Sequence, residues 1–198
     1  GVLFSDFKNP ELRKYVGMTL KEVSEKLNKH YADVAIDFVI EDGSRVGVVY
    51  FLMSEDNVKK QIQLPYMSFG SDAGSIAPEG DFLNSNPHPR AYGNFARLLG
   101  KYVREEKVIS LENAIYKLSG LSASKLKLKE RGFLKENYFA DIVIFDPNTI
   151  SDHATFSEPH QLATGMHHVF VNGVQVLESG EHTGMTPGRV VRGPGYKK

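Results

Sequence analysis

Hydrophobic and polar positions alternate along this chain with two different periods, and the change from one to the other divides it. Thr19-Leu20-Lys21-Glu22 has the Thr-x-x-Glu form of a capping box, and Leu20, Val23 and Leu27 follow at helical spacing, so a helix is predicted to start at Thr19. Ala32 to Ile40 is ambiguous by period. Its position between that helix and the turn Glu41-Asp42-Gly43-Ser44 makes it a second helix. Val46 to Leu52 is an almost unbroken apolar, β-branched and aromatic run, the pattern of a strand buried on both faces in a parallel sheet. Ser54-Glu55-Asp56 then offers an N-cap and two acids for a first helical turn. Tyr66 to Gly70 reads as the next short strand, closed by Ser71-Asp72, so a β-α-β unit is expected from Val46 to Asp72.

Ala73 to Asn86 is rich in Gly, Ser, Pro and Asn and reads as a loop, and Ala91 to Glu106 as a helix with Phe95, Leu98, Leu99, Tyr102 and Val103 on one side. Another helix follows from the N-cap Ser110 and should stop at Ser119-Gly120, where glycine suits a left-handed cap. From Gly132 onward the period becomes that of strands. Ala140 to Phe145 is closed by Asp146-Pro147, and Val169 to Leu177 holds two alternating runs joined by Asn172-Gly173, a strong hairpin signal. The expected division is therefore an α/β part over residues 1–131 and an all-β part over residues 132–198, with Gly193 to Lys198 expected to fray.

Composition narrows the functional classes. The 198 residues carry 24 Lys and Arg against 24 Asp and Glu, so the chain lacks the net positive charge of a nucleic-acid binder. No run approaches the length of a membrane span, and Gly1 to Asp6 has no signal-peptide pattern. Without cysteine there is no disulfide, no thiolate nucleophile and no Cys-based zinc site. These features favour a cytoplasmic protein with neither nucleic-acid nor membrane partners. The chain does not begin with methionine, which raises the expectation that it is a piece of something longer.

Phe69-Gly70-Ser71-Asp72, then Pro87-His88-Pro89-Arg90-Ala91-Tyr92-Gly93, Leu99 to Glu106, Gly132-Phe133-Leu134-Lys135 through Ala140 to Pro147, His168 to Gly173, Thr183-Gly184 and Pro187-Gly188-Arg189 together resemble, in order, the C-terminal part of the N-acyl-D-amino-acid deacylases of the amidohydrolase superfamily. The resemblance implies the last strands and helices of a (β/α)8 barrel, followed by strands of a small β-sandwich domain. It implies a zinc-dependent hydrolase that cleaves the amide of a small N-acyl-D-amino acid, with the remainder of the barrel supplied by the same longer polypeptide. Hydantoinase- or dihydroorotase-like enzymes acting on cyclic amides share the later motifs. A non-catalytic stand-alone domain is the alternative from a different class.

By that resemblance, Asp72 matches the aspartate that shuttles a proton from the metal-bound water to the leaving nitrogen. Arg90 offers a bidentate fork to a substrate carboxylate. Tyr50 and Met53, expected at the end of the preceding strand, would line the substrate pocket. Zinc ligands are expected upstream: His30, His88, His153, His160, His167, His168 and His182 contain no His-x-His pair. Ala73, where the family usually has glycine, and the longer loop after it depart from the family pattern.

Overall fold

A computed structural model describes residues 1–197. In chain order the regular elements are β1 (Val2–Asp6), α1 (Leu20–Leu27), α2 (Tyr31–Asp42), β2 (Gly47–Tyr50), α3 (Glu55–Gln63), α4 (Arg90–Arg97), α5 (Leu111–Leu118), α6 (Gly120–Lys125), β3 (Ile142–Phe145), β4 (Met166–Val171), β5 (Val174–Glu178) and β6 (Glu181–His182). Short 3-10 turns cover Pro10–Tyr15 and Gly80–Asn84, and α4 runs on into a π-helical stretch, Leu98–Glu105. The chain divides into two compact units, each assembled from discontinuous segments.

The first unit contains residues 1–54, 72–93 and 153–162. Its helices begin where the sequence signals them. Thr19 Oγ1 accepts from the Glu22 N–H at 3.2 Å while Glu22 Oε2 accepts from the Thr19 N–H at 2.7 Å, satisfying two otherwise orphaned donors of α1. Helix α2 spans the ambiguous run and ends on Gly43 with φ +60°. Val23 and Val34, both at 0% exposure, place the apolar stripes of the two helices against an aromatic cluster of Phe4, Phe7, Tyr15 and Phe38. Phe38 is its centre, with ring centroids 5.3 Å from Phe4, 5.5 Å from Phe7 and 5.0 Å from Tyr15.

Strand β2 corrects the reading of Val46 to Leu52. It is four residues long and pairs antiparallel with β1, Val2 opposite Tyr50 and Phe4 opposite Val48, in a two-stranded sheet. Strand β1 is an element that the sequence reading did not predict. The expected strand Tyr66 to Gly70 is irregular backbone, so the β-α-β unit is not completed by a second strand among the described residues.

The second unit contains residues 55–71, 94–152 and 163–198, the described part ending at Lys197. Ile62 of α3, Leu98, Leu99 and Tyr102 of the π-helical stretch, Ala114 of α5 and Ile150 form its core. Helix α5 starts on Ser110, whose Oγ accepts from the Asn113 N–H at 3.3 Å. Gly120 is not the expected left-handed stop: the chain turns at Ser119 and re-enters a helix, α6, directly. Strands β3 to β6 form one antiparallel sheet in sequence order. Asn172 (φ +50°) and Gly173 (φ +80°) both occupy the left-handed region required by the tight turn between β4 and β5. In the C-terminal stretch the Tyr196 N–H donates to Gly193 O at 3.1 Å, and the Arg192 guanidinium lies 3.8 Å from the Tyr196 ring centre. Lys198 lies outside the described residues.

No helix among the described residues is long and apolar enough to cross a membrane.

Candidate functional site

The four residues singled out by sequence all belong to the first unit. Asp72 sits in irregular backbone and not at a strand end, with φ +48°, a conformation that a short polar side chain tolerates better than most. Its Oδ2 accepts from Arg90 Nη2 at 2.6 Å, across eighteen positions of sequence. Both side chains are open to solvent, Asp72 at 86% and Arg90 at 42%. An exposed ion pair contributes little to stability, so this contact is easily exchanged for another partner of either group. One nitrogen of the Arg90 guanidinium is used by Asp72, leaving donors on the planar fork for a second carboxylate.

Arg90 opens helix α4. Its backbone N–H donates to His88 Nδ1 at 3.1 Å, while His88 O accepts from the Ala91 N–H at 2.9 Å. The imidazole thus caps the helix, and accepting at Nδ1 leaves the ring proton on Nε2. Burial holds His88 below the ordinary histidine range, and the Arg90 charge adds to the effect, so the ring remains neutral at neutral pH. Pro89 between them suits the first turn, where a backbone donor has no helical acceptor. Pro87-His88-Pro89-Arg90 is therefore a local device that fixes where the guanidinium leaves the helix.

An aromatic chain connects this device to the end of β2. The Phe156 ring lies 5.0 Å from His88 and 4.7 Å from Phe51, both edge-on. Phe51 is the residue next to Tyr50, which closes β2 and is 60% exposed; Met53, in the following irregular segment, is 74% exposed. Neither is consumed by core packing, which is the usual fate of such residues. Nothing in the sequence pointed to Phe156, whose contact with His88 spans distant parts of the chain. Tyr92, in the first turn of α4, has a hydroxyl that is buried without a hydrogen-bond partner among the described residues, and burial raises its pKa; its ring lies 6.0 Å from that of His160. The Tyr92 position inside the Pro87-to-Gly93 motif was the signal available for it.

A metal centre requires several converging donors. Among the described residues no group of three or more His, Asp or Glu side chains is arranged to hold a metal ion, so the residues present do not by themselves fit a zinc site.

Comparison with known proteins identifies the family. The profile of the amidohydrolase family matches residues 67–177, which include Asp72 and Arg90. The chain is 38% identical over 178 residues to an N-acyl-D-aspartate deacylase of Alcaligenes xylosoxydans xylosoxydans, covering 86% of this chain and 34% of that protein. It is likewise 38% identical over 182 residues to a D-aminoacylase of the same organism, covering 92% and 34%. Among solved structures, a crystal structure of D-aminoacylase superposes with a TM-score of 0.82 at 35% identity, covering 96% of this chain and 37% of that one. The N-acyl-D-glutamate deacylase of Bordetella bronchiseptica, complexed with zinc and a phosphonate inhibitor mimicking the tetrahedral intermediate, superposes with a TM-score of 0.76 at 33% identity, covering 88% and 34%. The chain spans about a third of the length of these relatives. From the family match over residues 67–177 and these likenesses, the chain belongs to the amidohydrolase family.

Proposed function

We propose that this chain is the C-terminal portion of an N-acyl-D-amino-acid deacylase, hydrolysing the amide of a small N-acyl-D-amino acid to a carboxylate and a free amino acid. In this reading residues 1–131 supply the last strands and helices of a (β/α)8 barrel and residues 132–198 strands of the small β domain. The remainder of the barrel comes from the same longer polypeptide. Zinc, with which the Bordetella bronchiseptica relative is described, is then held by residues outside this chain.

What supports the assignment is the meeting of Asp72 and Arg90 at 2.6 Å, far apart in sequence and both within the family match. Hydrolysis adds water across the C–N bond. The Asp72 carboxylate takes a proton from the attacking water as its oxygen bonds to the acyl carbon, then delivers it to the nitrogen as the C–N bond breaks, so that the carboxylate is regenerated each cycle. Proton transfer needs heavy atoms within about 2.6–3.2 Å, which a short side chain on fixed backbone can provide. Arg90, whose contact with Asp72 is exchangeable, pairs with the α-carboxylate of the substrate and so places the scissile amide beside the carboxylate. The exposed side chains of Tyr50 and Met53 offer apolar surface to the acyl group or side chain.

The test uses the natural polypeptide carrying this sequence, assayed against N-acetyl-D- and N-acetyl-L-amino acids and against hydantoin as a cyclic amide. Turnover of the D series alone is expected, with kcat falling about 10²-fold or more in Asp72→Asn. Hydrolysis of hydantoin in preference to every linear substrate would assign the cyclic-amide branch. Undiminished kcat in Asp72→Asn would remove the proton shuttle from Asp72.

A further inference from the structure

Within the second unit, and lined by none of the four site residues, a cavity of about 460 Å³ opens between the segment after α6 and the C-terminal stretch. Its lining includes Lys127, Lys129, Arg131, Arg189 and Arg192, with Glu130 as its one acid among the described lining residues. The whole chain has equal numbers of acidic and basic side chains, so this is a local concentration of positive charge that composition does not predict. It is made by folding, since the basic residues come from two stretches some sixty positions apart.

The cations are held in different ways. Arg131 is committed to the fold: it pairs with Asp141, donates through Nη2 to Asn172 Oδ1 at 2.6 Å, and lies 4.1 Å from the Phe139 ring centre. Arg192 is braced on Tyr196 at 3.8 Å, a contact that fixes the guanidinium plane and leaves its edge donors available. Among the described residues Lys127, Lys129, Arg189 and Arg192 form no ion pair with a carboxylate. Four cations facing one acid repel each other, an arrangement that a polyvalent anion relieves. The volume falls within the range of small-ligand sites.

We propose that this cavity binds a small polyphosphate, either pyrophosphate or the phosphate chain of a nucleotide, through Lys127, Lys129, Arg189 and Arg192. Phosphate oxygens accept in the bidentate manner that a guanidinium edge offers, and the lysines add charge without demanding geometry.

The experiment is calorimetric titration of the natural polypeptide with pyrophosphate and, separately, with ATP, at low and high sodium chloride. Saturable binding of both is expected, weakened by salt. Arg189→Gln combined with Arg192→Gln should weaken it roughly tenfold or more, because each lost bond is charge-assisted. Hydrolysis of N-acyl-D-amino acids should be unchanged in that variant, which separates this site from the one built on Asp72. Lys21→Gln, on the exposed face of α1, should leave the affinity as it was. Absence of heat with millimolar pyrophosphate, equal weakening by Lys21→Gln, or binding of ATP but not of pyrophosphate would each overturn the proposal, the last because the base and not the phosphates would then be recognised.

Discussion

Gly165 is the position where the fold is least able to accept a single methyl group. It precedes β4 with φ +85°, and a Cβ built there would stand 2.5 Å from both N and Cα of Ile150 and 2.8 Å from Thr149 C. Carbon atoms pack at about 3.5–4.0 Å, so the backbone of Thr149-Ile150 would have to retreat by about 1 Å. Ile150 has no room to do so. It is 1% exposed, its carbonyl accepts from Arg104 Nη1 at 2.6 Å, and Ser151 next to it exchanges backbone hydrogen bonds with Thr164 at 3.0 and 3.1 Å. Gly165→Ala therefore combines a left-handed backbone cost of about 1–2 kcal/mol with an overpacking cost of about 1–3 kcal/mol, roughly 2–5 kcal/mol altogether. Gly43→Ala is the internal reference. It has φ +60° but nothing within 4 Å of the added carbon, so it carries only the backbone cost, about 1–2 kcal/mol. Urea unfolding followed by far-UV circular dichroism, with amide exchange at Ser151 and Thr164, reads the difference. If Gly165→Ala and Gly43→Ala shift the midpoint equally and exchange at Ser151 is unchanged, the close approach at Ile150 is not what requires glycine.

Two other expectations concern charge. Arg90→Gln should lower kcat/KM for N-acyl-D-amino acids by about 10- to 100-fold, mainly through KM, because a charge-assisted bond to the substrate carboxylate is removed; a fall confined to kcat would mean that Arg90 acts only by orienting Asp72. Glu55 accepts from Lys101 Nζ at 2.6 Å and from Tyr102 Oη at 3.0 Å, and the Lys101 bond is the main reason its carboxyl lies below the ordinary glutamate range. With the folded pKa depressed, the stabilisation is complete above the unfolded glutamate value and is lost as pH falls through the folded one. Glu55→Gln should accordingly flatten the acid side of the stability profile below the ordinary glutamate range, a change that urea midpoints at successive pH values would reveal.

Local signals were read well wherever the cause was itself local. The capping box at Thr19, the N-cap at Ser110 and the turn at Asn172-Gly173 are each decided by a few consecutive residues, and all lie where those residues put them, whereas α2 runs on through Glu41 and Asp42 of the expected turn before Gly43 ends it. Family membership was also legible, because the motifs from Phe69 to Arg189 keep their order along the chain. The exceptions have one physical origin. Val46 to Leu52 announces a strand, but its pairing depends on what lies beside it. That neighbour is β1, antiparallel, a partner that no period in the run itself specifies. Gly120 looked like a stop because glycine permits a left-handed cap, but permission is not requirement, and the chain resumes as α6.

The same distinction separates the chemistry. By itself the sequence determined the acid at Asp72 and the fork at Arg90, since residue type and motif are linear properties. Only the tertiary structure decided that Asp72 and Arg90 meet, that Phe156 joins His88 to the end of β2, and that two separate basic stretches face one cavity. Those relations depend on distances between segments remote in the chain, and such distances are fixed by packing and long-range hydrogen bonds, not by local preference.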